Sequence, residues 1–204
     1  ESTGPGCVHL GMENIDKVGA IGVPGYRWEV KVVDENGKEV QQGEVGELCV
    51  KGPGLMTCYY NNPEATAEVL KDGWLYTGDM AMQDPDGFYF LVDRKKDVVS
   101  GGENIYPVQI EDFLRGNDKI KDVAVIGLPD KRLGEICGAI IELKDGASCT
   151  EEEIQDFCMS LPRYKRPRKI IFAEIPRNAT GKIEKPALRK RYGAEHLVAQ
   201  QNRS

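Results

Sequence analysis

The chain has 204 residues, of which 40% are hydrophobic and 29% charged, with a formal net charge of −6. That composition supports one packed domain or two small ones with a charged surface. No apolar run approaches the roughly 20 residues that a membrane helix needs, so no membrane span is expected within the chain. The first residues carry no basic region followed by an apolar one, so no secretory leader is expected. Position 1 is Glu, so Glu1 is expected to lie inside a longer protein. The six cysteines (Cys7, Cys49, Cys58, Cys137, Cys149 and Cys158) include no C-x-x-C pair, and only His9 and His196 could join them. Zinc is therefore not expected, and reduced structural thiols in a cytoplasmic protein are.

Residues 19–92 read as β-rich. Trp28–Val33 alternates like a strand, and Glu35-Asn-Gly-Lys38 follows as a hairpin-type turn. Strands are predicted at Glu47–Lys51 and Phe88–Val92. Between them Asn62 can cap, and Pro63 open, a helix running to Lys71, which Asp72-Gly73 ends. The character changes at the charged run Arg94-Lys-Lys-Asp97, the candidate link between two domains. Beyond it Pro107 opens a helix with apolar Val108, Ile110, Phe113 and Leu114. Asp122–Gly127 and Ala139–Leu143 read as buried strands. Thr150 and Glu153 form a capping-box pattern for a helix that stops before Pro162. Lys169–Phe172 is a last strand, and a final helix begins near Pro186. This order predicts a compact α+β unit from about residue 97 onward.

Charge is unevenly placed. The segment from Arg163 to Arg191 holds eleven Lys or Arg and only two acids, Glu174 and Glu184, against a net −15 for the remainder. A local basic patch on an acidic chain points to a small polyanionic ligand more than to bulk nucleic acid, although a charge run is ordinarily a solvated face. Four motifs lie in order along the chain. In Trp74-Leu-Tyr-Thr-Gly-Asp79, a carboxylate expected at a turn between strands can accept hydrogen bonds from two sugar hydroxyls. After Asp93-Arg-Lys-Lys-Asp97, the adjacent Gly101 and Gly102 allow close approach of a ligand. In Pro162-Arg-Tyr-Lys-Arg-Pro-Arg168, interleaved cations and an aromatic suit a phosphorylated nucleotide. In Pro176-Arg-Asn-Ala-Thr-Gly-Lys182, a lysine after glycine can bring a compact charge to a phosphate or carboxylate. The last is not a Walker A loop, which would need Gly at Pro176 and Ser or Thr at Ile183. Singly, each of these is an ordinary surface or turn sequence.

Together with Gly46-Glu47-Leu48, the ordered set resembles the adenylate-forming superfamily, which includes acyl-CoA and aryl-CoA synthetases, peptide-synthetase adenylation domains and luciferases. The resemblance covers nearly the whole chain. It implies the end of the large AMP-binding domain over residues 1–95, as a β-rich, distorted barrel-like subdomain, followed by a small mobile α+β lid over 96–204. It implies two half-reactions: attack of a carboxylate on the α-phosphate of ATP, and then attack of a thiol, usually CoA, on the resulting acyl-adenylate. Asp79 and Arg94 would hold the ribose, and Lys96 would be the hinge. Lys182 would be the catalytic lysine of adenylation. Gly101 and Gly102 would face the pantetheine, and Tyr164, Arg166 and Arg168 the CoA nucleotide. Glu1-Ser2-Thr3 matches the tail of the family's Tyr-Gly-x-Thr-Glu motif, which would make Glu1 a contact of Mg2+.

The family's glycine-rich phosphate loop, its adenine pocket and most of its acyl pocket have no counterpart here, so a partner N-terminal domain is expected and the chain alone should lack full activity. No carrier-protein sequence follows Lys182, which favours a CoA ligase over a peptide-synthetase module. A fatty or similar aliphatic acid is the expected substrate, with aryl acids open. Transfer to a carrier protein is the nearest rival. A non-catalytic nucleotide- or RNA-binding module is the rival from another class, and a structural lid, inactive in its parent, is a third.

Overall fold

The structure is a computed structural model describing residues 1–4, 6–11 and 14–201, with side chains through 193. It is an α+β fold made of two compact units, Glu1–Lys96 and Asp97–Ser204.

The first unit is a curled, half-barrel sheet of seven antiparallel strands. In chain order these are β1 (Cys7–Val8), β2 (Ala20–Pro24), β3 (Glu29–Val33), β4 (Val45–Lys51), β5 (Leu70–Lys71), β6 (Trp74–Gln83) and β7 (Tyr89–Arg94). Across the sheet they run β1-β2-β7-β6-β4-β3, with β5 added to β6. Trp28, Val32, Leu48, Val50, Leu75, Ala81 and Tyr89 form the core. Asp34 makes the β3 turn by accepting the Asn36 and Lys38 amides on its own carboxylate, both at 2.9 Å. Helix α1 (Pro63–Val69) starts as expected, with Asn62 Oδ1 accepting the Ala65 amide at 3.0 Å. It ends two residues before the expected Lys71, because Leu70 and Lys71 pair with Leu75 and Trp74 across Asp72-Gly73. Both turn residues have positive φ, 52° and 79°, the primed geometry that matches strand twist in a two-residue hairpin.

The second unit packs helices on both faces of a three-stranded sheet. Strands β10 (Ile120–Asp130) and β11 (Gly134–Leu143) are antiparallel, and β12 (Lys169–Phe172) joins β11 in parallel. Alternation along β10 explains its unbroken apolar run. Val123 and Val125 face a core completed by Ile110 and Leu114 of α2 (Pro107–Arg115) and Ile154 of α3 (Glu151–Phe157). Ala124, Ile126 and Leu128 face Leu188 and Tyr192 of α4 (Lys185–Gln201). The capping box is formed: Thr150 Oγ1 accepts the Glu153 amide at 3.2 Å, and Glu153 Oε2 accepts the Thr150 amide at 2.9 Å. The glycine segment is more ordered than a plain turn before a helix, since β8 (Val99–Ser100) and β9 (Asn104–Ile105) pair around it as a small hairpin. Among the described residues no helix is long and apolar enough to cross a membrane.

Candidate active site

In the first unit, Asp79 does not sit at a turn between strands, as its Thr-Gly context suggested. It lies within the ten-residue strand β6, directly opposite Arg94 of β7. What resembles a turn is a wide bulge: Tyr76 pairs with Cys49 and Met80 with Glu47, so Thr77, Gly78 and Asp79 together face only Leu48. Thr77 Oγ1 donates to the Leu48 carbonyl at 2.8 Å and accepts the Asp79 amide at 3.1 Å. The bulge re-aims Asp79, whose Oδ1 accepts from Arg94 Nη1 at 2.5 Å. The Asp79 side chain is 26% exposed and that of Arg94 54%, so the pair is reachable by a ligand.

Glu47 supports this arrangement, and the sequence reading gave it no role. Its buried carboxylate accepts the Gly78 amide on Oε1 at 3.1 Å and Lys95 Nζ on Oε2 at 2.8 Å. One acid thereby fixes both the bulge that carries Asp79 and the residue before Lys96. The available signal was an acid in the middle of a strand whose neighbours are otherwise buried. Lys95 begins a single 3-10 turn, Lys95–Asp97. Lys96 is exposed and has no ion pair among the described residues, whereas Asp97 is buried and accepts from Arg189 Nη2 of α4 at 2.6 Å.

Glu1 is exposed, and its carboxylate accepts from the Tyr59 hydroxyl. Among the described residues no three of His, Cys, Asp or Glu gather as a metal site. A nucleotide-bound magnesium takes only one or two carboxylates beside phosphate oxygens and waters. A single Glu1 fits such an ion only as one ligand alongside the nucleotide's own oxygens.

In the second unit, Gly101, Gly102, Tyr164, Arg166 and Arg168 line one cavity of about 300 Å3, with Glu135 and Cys137 also in its wall. The glycines are required for two different reasons. A Cβ on Gly101 would stand 2.7 Å from the Glu135 carbonyl oxygen, while Gly102 has φ +92°, a conformation other residues rarely adopt. The five are not equally free. Arg166 donates to the Leu161 carbonyl at 2.8 Å and the Met159 carbonyl at 2.7 Å, so much of its guanidinium holds its own loop. Tyr164 is 42% exposed, and the Arg168 side chain is exposed as well. Burial pushes the Cys137 thiol up to about 12, which leaves it without thiolate character at neutral pH.

Lys182 is not among the residues lining that cavity. It projects from an exposed hairpin whose neck is the bridge between Arg177 and Ile183. The Asn178 side chain organises the tip, its Oδ1 accepting from the Thr180 and Lys182 amides at 3.0 and 2.9 Å. The basic stretch around it is not a continuous free surface: Lys169, Arg177, Lys185 and Arg189 pair with Glu151, Asp122, Glu111 and Asp97. All six cysteines are free, and His196 lies outside the described side chains.

Comparison with known proteins fits both units. Residues 1–60 match the family model of the AMP-binding enzymes, and residues 109–182 match that of the AMP-binding enzyme C-terminal domain. The chain belongs to the adenylate-forming, AMP-binding superfamily. Within it, the sequence is 41% identical over 193 residues to a feruloyl-CoA synthase of an Amycolatopsis species, covering 93% of this chain and 39% of that protein. It is 43% identical over 197 residues to the long-chain-fatty-acid–CoA ligase FadD13 of Mycobacterium tuberculosis, covering 95% and 39%. The crystal structure of ATP-bound MatB from Rhodopseudomonas palustris superposes with a TM-score of 0.79 at 34% identity, over 86% of this chain and 36% of that one. The chain thus spans about two fifths of the length of these relatives.

Proposed function

We propose that this chain supplies the ribose-binding pair, the adenylation lysine and the thiol-acceptor cavity of an AMP-forming carboxylic acid:CoA ligase. The observation that carries the reading is the gathering of Gly101, Gly102, Tyr164, Arg166 and Arg168 on one cavity, with Lys182 on a separate hairpin. Two chemistries with different needs then have different equipment. In the first, a carboxylate oxygen attacks the α-phosphorus of ATP and pyrophosphate leaves. Two anions must meet, and Lys182 offsets the charge that builds on the phosphoryl oxygens. Asp79, held by Arg94, accepts hydrogen bonds from the ribose hydroxyls, and Glu1 would be one ligand of a magnesium ion, which would supply neutralising charge to the phosphates. In the second, the thiol sulfur attacks the acyl carbon, the bond to the phosphate oxygen breaks and AMP leaves. The glycine hairpin admits a thin pantetheine, and Tyr164 and Arg168 suit a nucleotide beyond it. A carrier protein's pantetheine has no such nucleotide, which favours free CoA as acceptor.

Switching between the steps requires residues 97–204 to move as a lid about Lys96. Lys95 is held by Glu47 in one unit and Asp97 by Arg189 in the other, so rotation of the backbone at Lys96 leaves both ion pairs intact. The exposed Lys96 side chain stays in water throughout. The acid is a fatty or similar aliphatic one, as for FadD13, and the free thiols suit work in the cytoplasm.

The test is pyrophosphate exchange and CoA-thioester formation by the full-length protein across aliphatic and aryl acids. Lys182→Ala should lower exchange on the order of a hundred- to thousandfold. Undiminished exchange in that variant would sink the assignment, and a preference for ferulate over aliphatic acids would redirect the substrate.

A further inference from the structure

We propose that Arg177 and Asp122 are positioning residues for Lys182, a brace that fixes the lysine-bearing hairpin to the edge of the sheet; this rests on the role of Lys182 given above. The hairpin is exposed from Arg177 through Lys182, so apolar packing does not order its tip. Its internal contacts are local: Asn178 N donates to the Lys182 carbonyl, and Gly181 N to the Asn178 carbonyl, both at 2.9 Å. They shape the tip but do not say where it stands relative to the sheet.

Arg177 supplies that connection. Its Nη1 donates to the Gly181 carbonyl, next to Lys182, at 2.5 Å, and its Nη2 pairs with the Asp122 carboxylate at the start of β10. Asp122 is itself a fixed point: its side chain is 13% exposed, and Oδ1 accepts the Val123 amide at 2.9 Å. The base of the hairpin is pinned beside it, where the Ile175 amide donates to Glu142 Oε2 at 3.0 Å. A guanidinium is planar and presents its donors in a rigid fork, so gripping a sheet carboxylate and a loop carbonyl at once carries the position of one to the other. The Arg177 side chain is 48% exposed, and an ion pair in that setting adds little to global stability. Its effect is therefore local placement, and a displacement of about 1 Å at a reacting group can cost on the order of a hundredfold in rate.

The experiment compares Arg177→Met and Asp122→Asn in two assays. Hydrogen exchange on the chain should show faster exchange at the Gly181 and Lys182 amides in both variants, with the Val125 amide of β10 unchanged. Half-reactions in the full-length protein should show pyrophosphate exchange reduced roughly ten- to hundredfold in kcat, with thioester formation from supplied acyl-adenylate within about twofold of wild type. Unchanged exchange at Gly181 and Lys182, or equal losses in both half-reactions, would overturn the brace. Wild-type protein that catalyses neither half-reaction would instead overturn the proposed function, and the brace would then stand or fall on hydrogen exchange.

Discussion

Glu153 is a residue whose local contacts fix its chemistry. The Thr150 amide, Lys119 and then Cys149 hydrogen-bond its carboxylate and lower it from an ordinary 4.5 to about 2. The sign follows from linkage. A carboxylate depressed in the folded state stabilises fully above its unfolded value, and that contribution disappears as pH falls through the folded one. Acid titration of the chain should therefore show the cap of α3 weakening between about pH 4.5 and 2, and Glu153→Gln should flatten that part of the curve. A curve unchanged by the substitution would count against the assignment. This cap was legible from Thr150 and Glu153 alone, because a capping box is a local pattern with a fixed spacing. Glu47 was not legible. Its partners, Gly78 and Lys95, are distant in sequence and meet it only through the pairing of β4 with β6 and of β6 with β7.

The same contrast holds among elements. Strand β12 and helix α3 follow from apolar pattern and caps, and both fall where the sequence puts them. Asp79 was misread as a turn because Thr-Gly is common in turns, and a three-residue bulge in a long strand leaves the same local signature. The hairpin of β8 and β9 was missed since two-residue strands have no period to read. Helix α4 shows where pattern reading stops short: its start near Pro186 was visible, and its anchor was not. Lys185 Nζ meets the buried Glu111 carboxylate at 2.8 Å, while Glu111 Oε1 also accepts the Val125 amide at 2.8 Å. Lys185→Met should leave that buried carboxylate, of the described cations, only the more distant Arg115 guanidinium, at 3.8 Å, and destabilise the chain by about 3 kcal/mol. Denaturant melts of the two proteins measure this, and a difference below about 1 kcal/mol would show that the acid finds another partner.

At the scale of the whole chain, the boundary is the testable quantity. Expected domains of 1–95 and 96–204 compare with compact units that divide after Lys96. The segment offers trypsin three consecutive basic residues, Arg94, Lys95 and Lys96. Cleavage after Lys95 should be slow while Glu47 holds its ammonium, and Glu47→Gln should accelerate it severalfold, yielding 1–95 and 96–204. An equal rate in both proteins would mean that the ion pair does not restrain the link. The change in character near Asp93 lies a few residues before the point where the compact units divide, whereas the ion pairs on either side of Lys96 needed the folded chain.

Lys185 and Arg189 lie one helical turn apart on α4, and they reach Glu111 and Asp97 respectively. Helix α4 is thus a latch over Asp97 and Glu111 of its own unit. The matched C-terminal family region, 109–182, contains neither Asp97 nor the latch. A fragment cut to those limits would keep Lys182 and the buried Glu111 but lose Lys185, leaving that carboxylate, of the described cations, only the Arg115 guanidinium at 3.8 Å. The smallest autonomous second unit therefore begins at Asp97 and includes the start of α4.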